Sequence, residues 1–268
     1  MNLDVNTKTQ VMGILNVTPD SFSDGGQFDN VKKAVGHAKQ MLKDGASIID
    51  VGGESTRPGH TQISDDEEIA RVVPVIQALK EQTDAVISID TYKSAVARSA
   101  VEAGAHIIND IWGAKYDPEI ARVAADKQVP IILMHNRTET AYDDFWQDAK
   151  EDLEESIRIA QNAGVRNDCI WLDPGIGFAK TLAQNVEMMK RLDQLVAMGY
   201  PVLLGTSRKS FIGKLLDAQV DERLEGSLAT VAFGVMKGCQ IVRVHDVKET
   251  VQTVKMMDFL TGKIKVEG

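Results

Sequence analysis

Eight short apolar runs, separated by helical patterns and recurring at intervals of roughly thirty residues, limit what this chain can become. The runs are Val11 to Val17, Ser47 to Gly53, Ala85 to Thr91, His106 to Ile111, Pro130 to Asn136, Cys169 to Gly175, Pro201 to Ser207 and Ile241 to Val247. Such runs read as strands of a parallel sheet covered on both faces. Between them, apolar residues fall at helical spacing: in Glu67 to Glu81, Ile69, Val72, Val73, Ile76 and Leu79 share one face. Pro74 in that stretch should kink the helix or remove a hydrogen bond. Gly45, Gly104, Gly164 and Gly199 each precede a strand, where a left-handed cap would close the helix before it. Strand followed by helix, eight times over, is expected to close into one (β/α)8 barrel, a single α/β domain over residues 1–268. An open doubly wound sheet is the alternative. With 268 residues, 43% of them hydrophobic, the chain can fill a core of that size, and no linker or shift in composition divides it.

Charge and cysteine usage narrow the partners. A formal charge of −9 and few basic clusters argue against nucleic acid or an anionic membrane. No apolar run reaches bilayer length, and the opening "MNLDVNTKTQ" has no signal-peptide core. Cys169 and Cys239 both stand at strand entries, which suits small buried thiols in a reducing, cytoplasmic setting better than a disulfide framework.

The polar side chains collect at the carboxyl ends of the strands, where a barrel places its chemistry. They are Asn16, Asp50 with Glu54, Asp90, Asn109 with Asp110, His135 with Asn136, Asp173, Ser207 with Arg208 and Lys209, and Arg243 with His245. Any one of these could be a turn former or a helix cap; eight in register are harder to explain that way. Asp50, Asp110 and Asp246 are expected to be structural, Asp50 by orienting backbone in the second loop and Asp246 by capping the last helix with Glu249. His135 is as compatible with a neutral strand-end histidine as with catalysis.

In a barrel, the loops after strands seven and eight can hold a phosphate. Here they carry "TSRKS" and "VRVHD", in which Arg243 and His245 alternate and can point to one side. With Arg57 they would form a cationic pocket in an acidic protein; the competing reading makes Arg243 a salt-bridge partner at the rim. Asn16 ends the first strand before the polar loop "TPDSFSDGG" and offers a neutral oxygen ligand to Mg2+, which keeps several waters and shares phosphate oxygens. Across the mouth, Asp90, Asn109 and Asp173 are two carboxylates and an amide suited to the paired N–H groups of an amino-pyrimidine edge. Lys209 could alternatively be a Schiff-base lysine, although it lies in a polar loop beside Arg208. "DPGIGFAK" lacks the spacing of a dinucleotide fingerprint.

Taken together, "MGILNVTPDSFSDGG" from Met12, "GGESTRPG" from Gly52, "SIDTYK" from Ser88, "IIND" from Ile107, "LDPGIGFAK" from Leu172, "TSRKSF" from Thr206 and "VRVHD" from Val242 resemble the dihydropteroate synthase family of folate biosynthesis. The resemblance spans all but the ends of the chain. It implies condensation of (7,8-dihydropterin-6-yl)methyl diphosphate with 4-aminobenzoate, requiring Mg2+, and sulfonamides as mimics of the aminobenzoate. It also implies roles. Asp173, Asn109 and Asp90 would grip the pterin, with Lys209 on its oxygen and N5 side. Asn16 would meet Mg2+ and the diphosphate, and Arg57, Arg243 and His245 would hold the diphosphate oxygens. Phe28, Thr56, Pro58, Phe178 and Ser210 would shape the aminobenzoate site. Asp90, Lys209 and Arg243 are the expected catalytic residues.

Two other functions stay open at this point. One is a pterin-binding methyltransferase barrel, against which "STRPG" and "SRKS" count; the other is a non-catalytic pterin-binding paralogue. The helix over Ser227 to Cys239 is apolar around much of its circumference, with Leu228, Val231, Phe233, Val235 and Met236. A homodimer through this region is the expectation, and packing against the eighth helix is the competing explanation.

Overall fold

A computed structural model describes residues 3–5, 7–18, 27–55 and 61–265, with residues 27 and 28 described in backbone alone. Each apolar run yields a strand; seven are shorter than their runs, and the first is as long as its run but starts one residue earlier. These are β1 (Gln10–Asn16), β2 (Ile48–Gly52), β3 (Val86–Asp90), β4 (Ile107–Asp110), β5 (Ile131–Met134), β6 (Ile170–Asp173), β7 (Leu203–Leu204) and β8 (Ile241–Val244). The helices are α1 (Gln27–Lys43), α2 (Asp65–Gln82), α3 (Ser94–Ala103), α4 (Glu119–Lys127), α5 (Phe145–Asn162), α6 (Leu182–Lys190), α7 (Leu192–Val196), α8 (Ser210–Leu216), α9 (Leu224–Met236) and α10 (Val247–Leu260). All strand pairs are parallel, in the order β6-β5-β4-β3-β2-β1-β8-β7. A single bridge from Leu172 to Val202 joins the two ends, so the sheet closes into the expected (β/α)8 barrel rather than the open alternative.

Local chemistry places the helices. Ser64 caps α2 by accepting from Glu67 N, and four acidic residues fill the first turn, where the helix dipole favours them. The helix runs on through Pro74. Gly45, Gly104, Gly164 and Gly199 all have positive φ, as expected of helix closers. Asp246 occupies the cap position of α10, but its carboxylate does not cap; it pairs with Arg208 instead, at 2.9 and 2.5 Å. The helix expected over Ser227 to Cys239 begins earlier, at Leu224, and buries Ser227, Val231, Gly234 and Val235.

The two-residue period of a strand sorts the barrel interior into layers. Met12, Ile48, Val86, Ile107, Ile132, Trp171, Leu203 and Ile241, one from each strand, form a sealed apolar floor, with Leu3 and Val5 packed against it. Two positions further along most of these strands lie Asp50, Ser88, Asn109, Asp173, Gly205 and Arg243, with Asp90 one layer above Ser88. Above the apolar layer the interior is mostly polar, while Val11, Leu15, Ile49, Val51 and their counterparts face the helices.

Candidate active site

Arg243 is the hub of the upper layer. Its Nε donates to Asp50 Oδ2 at 2.6 Å, and its Nη2 donates to Asp90 Oδ2 at 2.6 Å. Asn109 Nδ2 donates to the same Asp50 oxygen at 3.1 Å. Asp50 thus joins Asn109 to Arg243, and its expected part in orienting the second loop is overturned: parity turns it into the barrel. Burial opposes the charge of Arg243, but Asp50 and Asp90 outweigh it and raise its pKa. Burial pushes the Asp90 carboxyl up to about 7, with Arg243 working against the shift. Three buried atoms here have no hydrogen-bond partner among the described residues: Asp50 Oδ1, Ser88 Oγ and Asp90 Oδ1. Each costs about 1–3 kcal/mol in that condition, which makes this polar layer a receptor for hydrogen-bonding groups.

Asp173 faces them from β6. Its Oδ1 accepts from Gly175 N at 2.7 Å, and burial raises its pKa against the opposing charge of Lys209. The Lys209 ammonium donates to the Ile176 carbonyl and lies 4.8 Å from the centre of the Phe178 ring. It stands in the loop beside exposed Arg208 as expected, but its ammonium turns inward, and burial pulls its pKa down to about 8. Gly205 leaves the space between these groups open. A Cβ there would lie 3.9 Å from Arg243 Cβ, 3.9 Å from Lys209 Nζ and 4.0 Å from Asp173 Oδ2. Tyr92, Ile111 and Met134, with Trp112 and Phe178, add an apolar wall.

Asn16 is exposed at the end of β1, and its side chain makes no hydrogen bond among the described residues. A Cβ on Gly52 would sit 3.6 Å from both Asn16 Oδ1 and Asp90 Oδ2, so the amide adjoins the carboxylate layer. His245 is exposed; its backbone N–H donates to Ser207 Oγ at 3.1 Å, and its Nδ1 lies 3.0 Å from the same oxygen. Ser210 is exposed at the start of α8. Arg57, Thr56, Pro58 and the Phe28 side chain lie outside the described residues.

Two ion-pair networks brace the mouth. Glu54, Lys93 and Glu68 are buried together, with Lys93 Nζ at 2.7 Å from Glu54 and 2.8 Å from Glu68. Tyr92 OH donates to Glu54 at 2.6 Å, and the Ile63 backbone contacts both Glu54 and Lys93, which pins the far end of the second loop. Behind β5 and β6, His135 is held between Lys180 and Asp152, and burial lowers its pKa to about 4. It is the neutral strand-end histidine. Asp110 is structural as expected, accepting from Trp112 N and Ala114 N. Sequence reasoning missed Ser88, Gly205 and Lys180; for the first two, counting by twos from Asp90 and Leu203 would have found them.

A family model described as pterin binding enzyme matches residues 12–245. The chain is 58% identical over 261 residues to a dihydropteroate synthase of Bacillus subtilis, covering 97% of this chain and 92% of that protein. The chain belongs to the dihydropteroate synthase family. A crystal structure of a Clostridium difficile dihydropteroate synthase, determined in the presence of pteroic acid, superimposes with a TM-score of 0.94 at 49% identity, covering 96% of this chain and 98% of that one. A Xanthomonas albilineans dihydropteroate synthase with 4-aminobenzoic acid gives 0.91 at 41% identity, covering 96% and 94%. Among such synthases this barrel is an ordinary member in architecture.

Proposed function

We propose that this chain joins (7,8-dihydropterin-6-yl)methyl diphosphate to 4-aminobenzoate, releasing diphosphate and forming 7,8-dihydropteroate. The observation that carries the reading is the convergence of Asp90, Asn109, Asp173, Lys209 and Arg243 on one buried mouth in a member of this family. The unpartnered acceptors on Asp50 and Asp90 suit a ring rich in N–H donors. In this reading Asp173, Asn109 and Asp90 hold the pterin edge, and Lys209 donates to its oxygen and N5 side. Phe178 and Ser210, with Phe28, Thr56 and Pro58, shape the aminobenzoate site, and His245 and Arg57 meet the diphosphate with Arg243.

The aromatic amine is a weak nucleophile, and diphosphate leaves well once its growing charge is met by cations. Carbon–oxygen cleavage therefore comes first in our scheme. The pterin ring shares the resulting positive charge, ionised Asp90 stabilises it, and the amine then attacks and gives its proton to the released diphosphate or to solvent. Arg243 moves from Asp50 and Asp90 toward the departing oxygens. Among the described residues no group of three His, Cys, Asp or Glu side chains could hold a metal. One exposed amide oxygen at Asn16 fits Mg2+, which needs few protein ligands when a diphosphate supplies the rest. When bound there, Mg2+ supplies charge neutralisation to the leaving group.

We further assign the active form as a cytoplasmic homodimer. Both cysteines are free, and no helix among the described residues is long and apolar enough to cross a membrane. Met236 on α9 is 58% exposed, and Met256 and Leu260 on the adjoining α10 are 57% and 68% exposed, an apolar face for a second copy.

The deciding assay follows diphosphate release with Mg2+, with and without 4-aminobenzoate, beside detection of dihydropteroate. Release matched by product is the expected result. A chain that binds the dihydropterin diphosphate yet neither releases diphosphate nor joins the amine would be the non-catalytic paralogue instead.

A further inference from the structure

Lys180 is a half-buried cation that the condensation chemistry leaves unused. Its ammonium has three N–H donors and three acceptors within reach: His135 Nδ1 at 2.7 Å, the Gly175 carbonyl at 2.9 Å and the Phe178 carbonyl at 3.0 Å. Because Lys180 donates to Nδ1, His135 carries its proton on Nε2 and donates to Asp152 Oδ2 at 3.1 Å. Asp152 is fixed in turn by Arg137 Nε at 2.5 Å. Burial pushes the Asp152 carboxyl up, but the hydrogen bonds from His135 and Arg137 outweigh it and hold its pKa below the usual carboxylate range. The Lys180 charge is kept at a cost. Burial pulls its pKa down to about 7, Asp173 and Asp152 oppose that shift, and Lys209 and Arg137 add to it.

That charge grips the loop between β6 and α6. Lys180 takes the carbonyls of Gly175 and Phe178 from behind, and Lys209 takes the carbonyl of Ile176 between them from the mouth. Gly175 holds φ at +65°, and a Cβ there would meet the His135 carbonyl oxygen at 1.9 Å, so the loop passes tightly over β5 at this point. The loop's far end is stapled by Asn185, which accepts from Gly177 N at 2.6 Å, and Tyr142 OH donates to Ala179 O at 2.8 Å. We infer that Lys180 is a positioning residue: braced by His135 and Asp152, it fixes the loop that sets Phe178 and Lys209 against each other, and so sets affinity for 4-aminobenzoate. This rests on the proposed function, in which Phe178 faces that substrate.

The test is steady-state kinetics of the wild-type chain and Lys180→Met, with both substrates varied and folding checked by circular dichroism and thermal melting. Folded Lys180→Met should raise KM for 4-aminobenzoate about tenfold while kcat changes less than about threefold. An unchanged KM overturns the inference, and so does a collapse of kcat at unchanged KM, which would mean a part in the chemistry. If Lys180→Met does not fold, Tyr142→Phe, which removes one neutral hydrogen bond to the same loop, decides: a KM rise of about twofold or more with kcat retained supports it, and no change overturns it. A wild-type chain that forms no dihydropteroate would instead sink the functional reading, so the two failures are separable.

Discussion

Asp90 and Lys209 are displaced from their ordinary ranges in opposite directions by the same cause, the removal of water from the barrel mouth. Asp90 sits at about 7 and Lys209 at about 8. If Asp90 must be ionised and Lys209 protonated, kcat/KM for the dihydropterin diphosphate rises with pH through about 7 and falls again above about 8. Asp90→Asn should erase the acid limb of a measured profile. The same shift has a sign for stability. Between pH 3.8, the ordinary value for this carboxyl, and about 7 the folded state binds the proton that the unfolded chain has lost, so the contribution of Asp90 to stability declines as pH rises. Asp50 tests the hub directly. Asp50→Asn leaves Arg243 facing one carboxylate and should cost about 1–3 kcal/mol in a denaturant titration, with a fall in kcat. Sequence spacing could place Asp50 at a strand end but could not say what it touches, because its partners lie 59 and 193 residues away.

At the scale of elements, the apolar runs marked burial accurately and hydrogen bonding less so. The run from Pro201 to Ser207 is almost wholly buried, yet only Leu203 and Leu204 form the β7 ladder, since Pro201 has no N–H to give and the chain turns away at Gly205 toward the site. Two glycines, one at the end of this strand and one packed against it, should respond differently to the same change. Gly205→Ala puts a methyl group among Arg243, Lys209 and Asp173 at ordinary contact distances, so melting should shift by no more than about 2 °C while pterin affinity falls roughly tenfold in calorimetry. Gly234→Ala drives a Cβ to 2.3 Å from Leu204 Cδ2, where α9 crosses the barrel wall, and should cost about 1–3 kcal/mol of stability. The bracing networks were illegible for another reason. Lys180, His135 and Asp152 come from three separate segments, and no periodicity within one segment signals a pairing between three.

For the whole molecule, the apolar face on α9 and α10 makes a further prediction. If the proposed dimer forms through this face, sedimentation should find a dimer for the native chain and a folded monomer for Met236→Arg, because the introduced charge would be buried without a partner. The floor of the barrel has its own consequence. Eight apolar side chains, one from each strand, close the lower end, with Leu3 and Val5 beneath them. Among the described residues the site is closed from below, so a group seated deepest is loaded before one seated above it. In the proposed function, a bicyclic ring held by Asp173 and Asn109 enters ahead of the amine, and the joined product, anchored by its deep end, is drawn out whole by the same route.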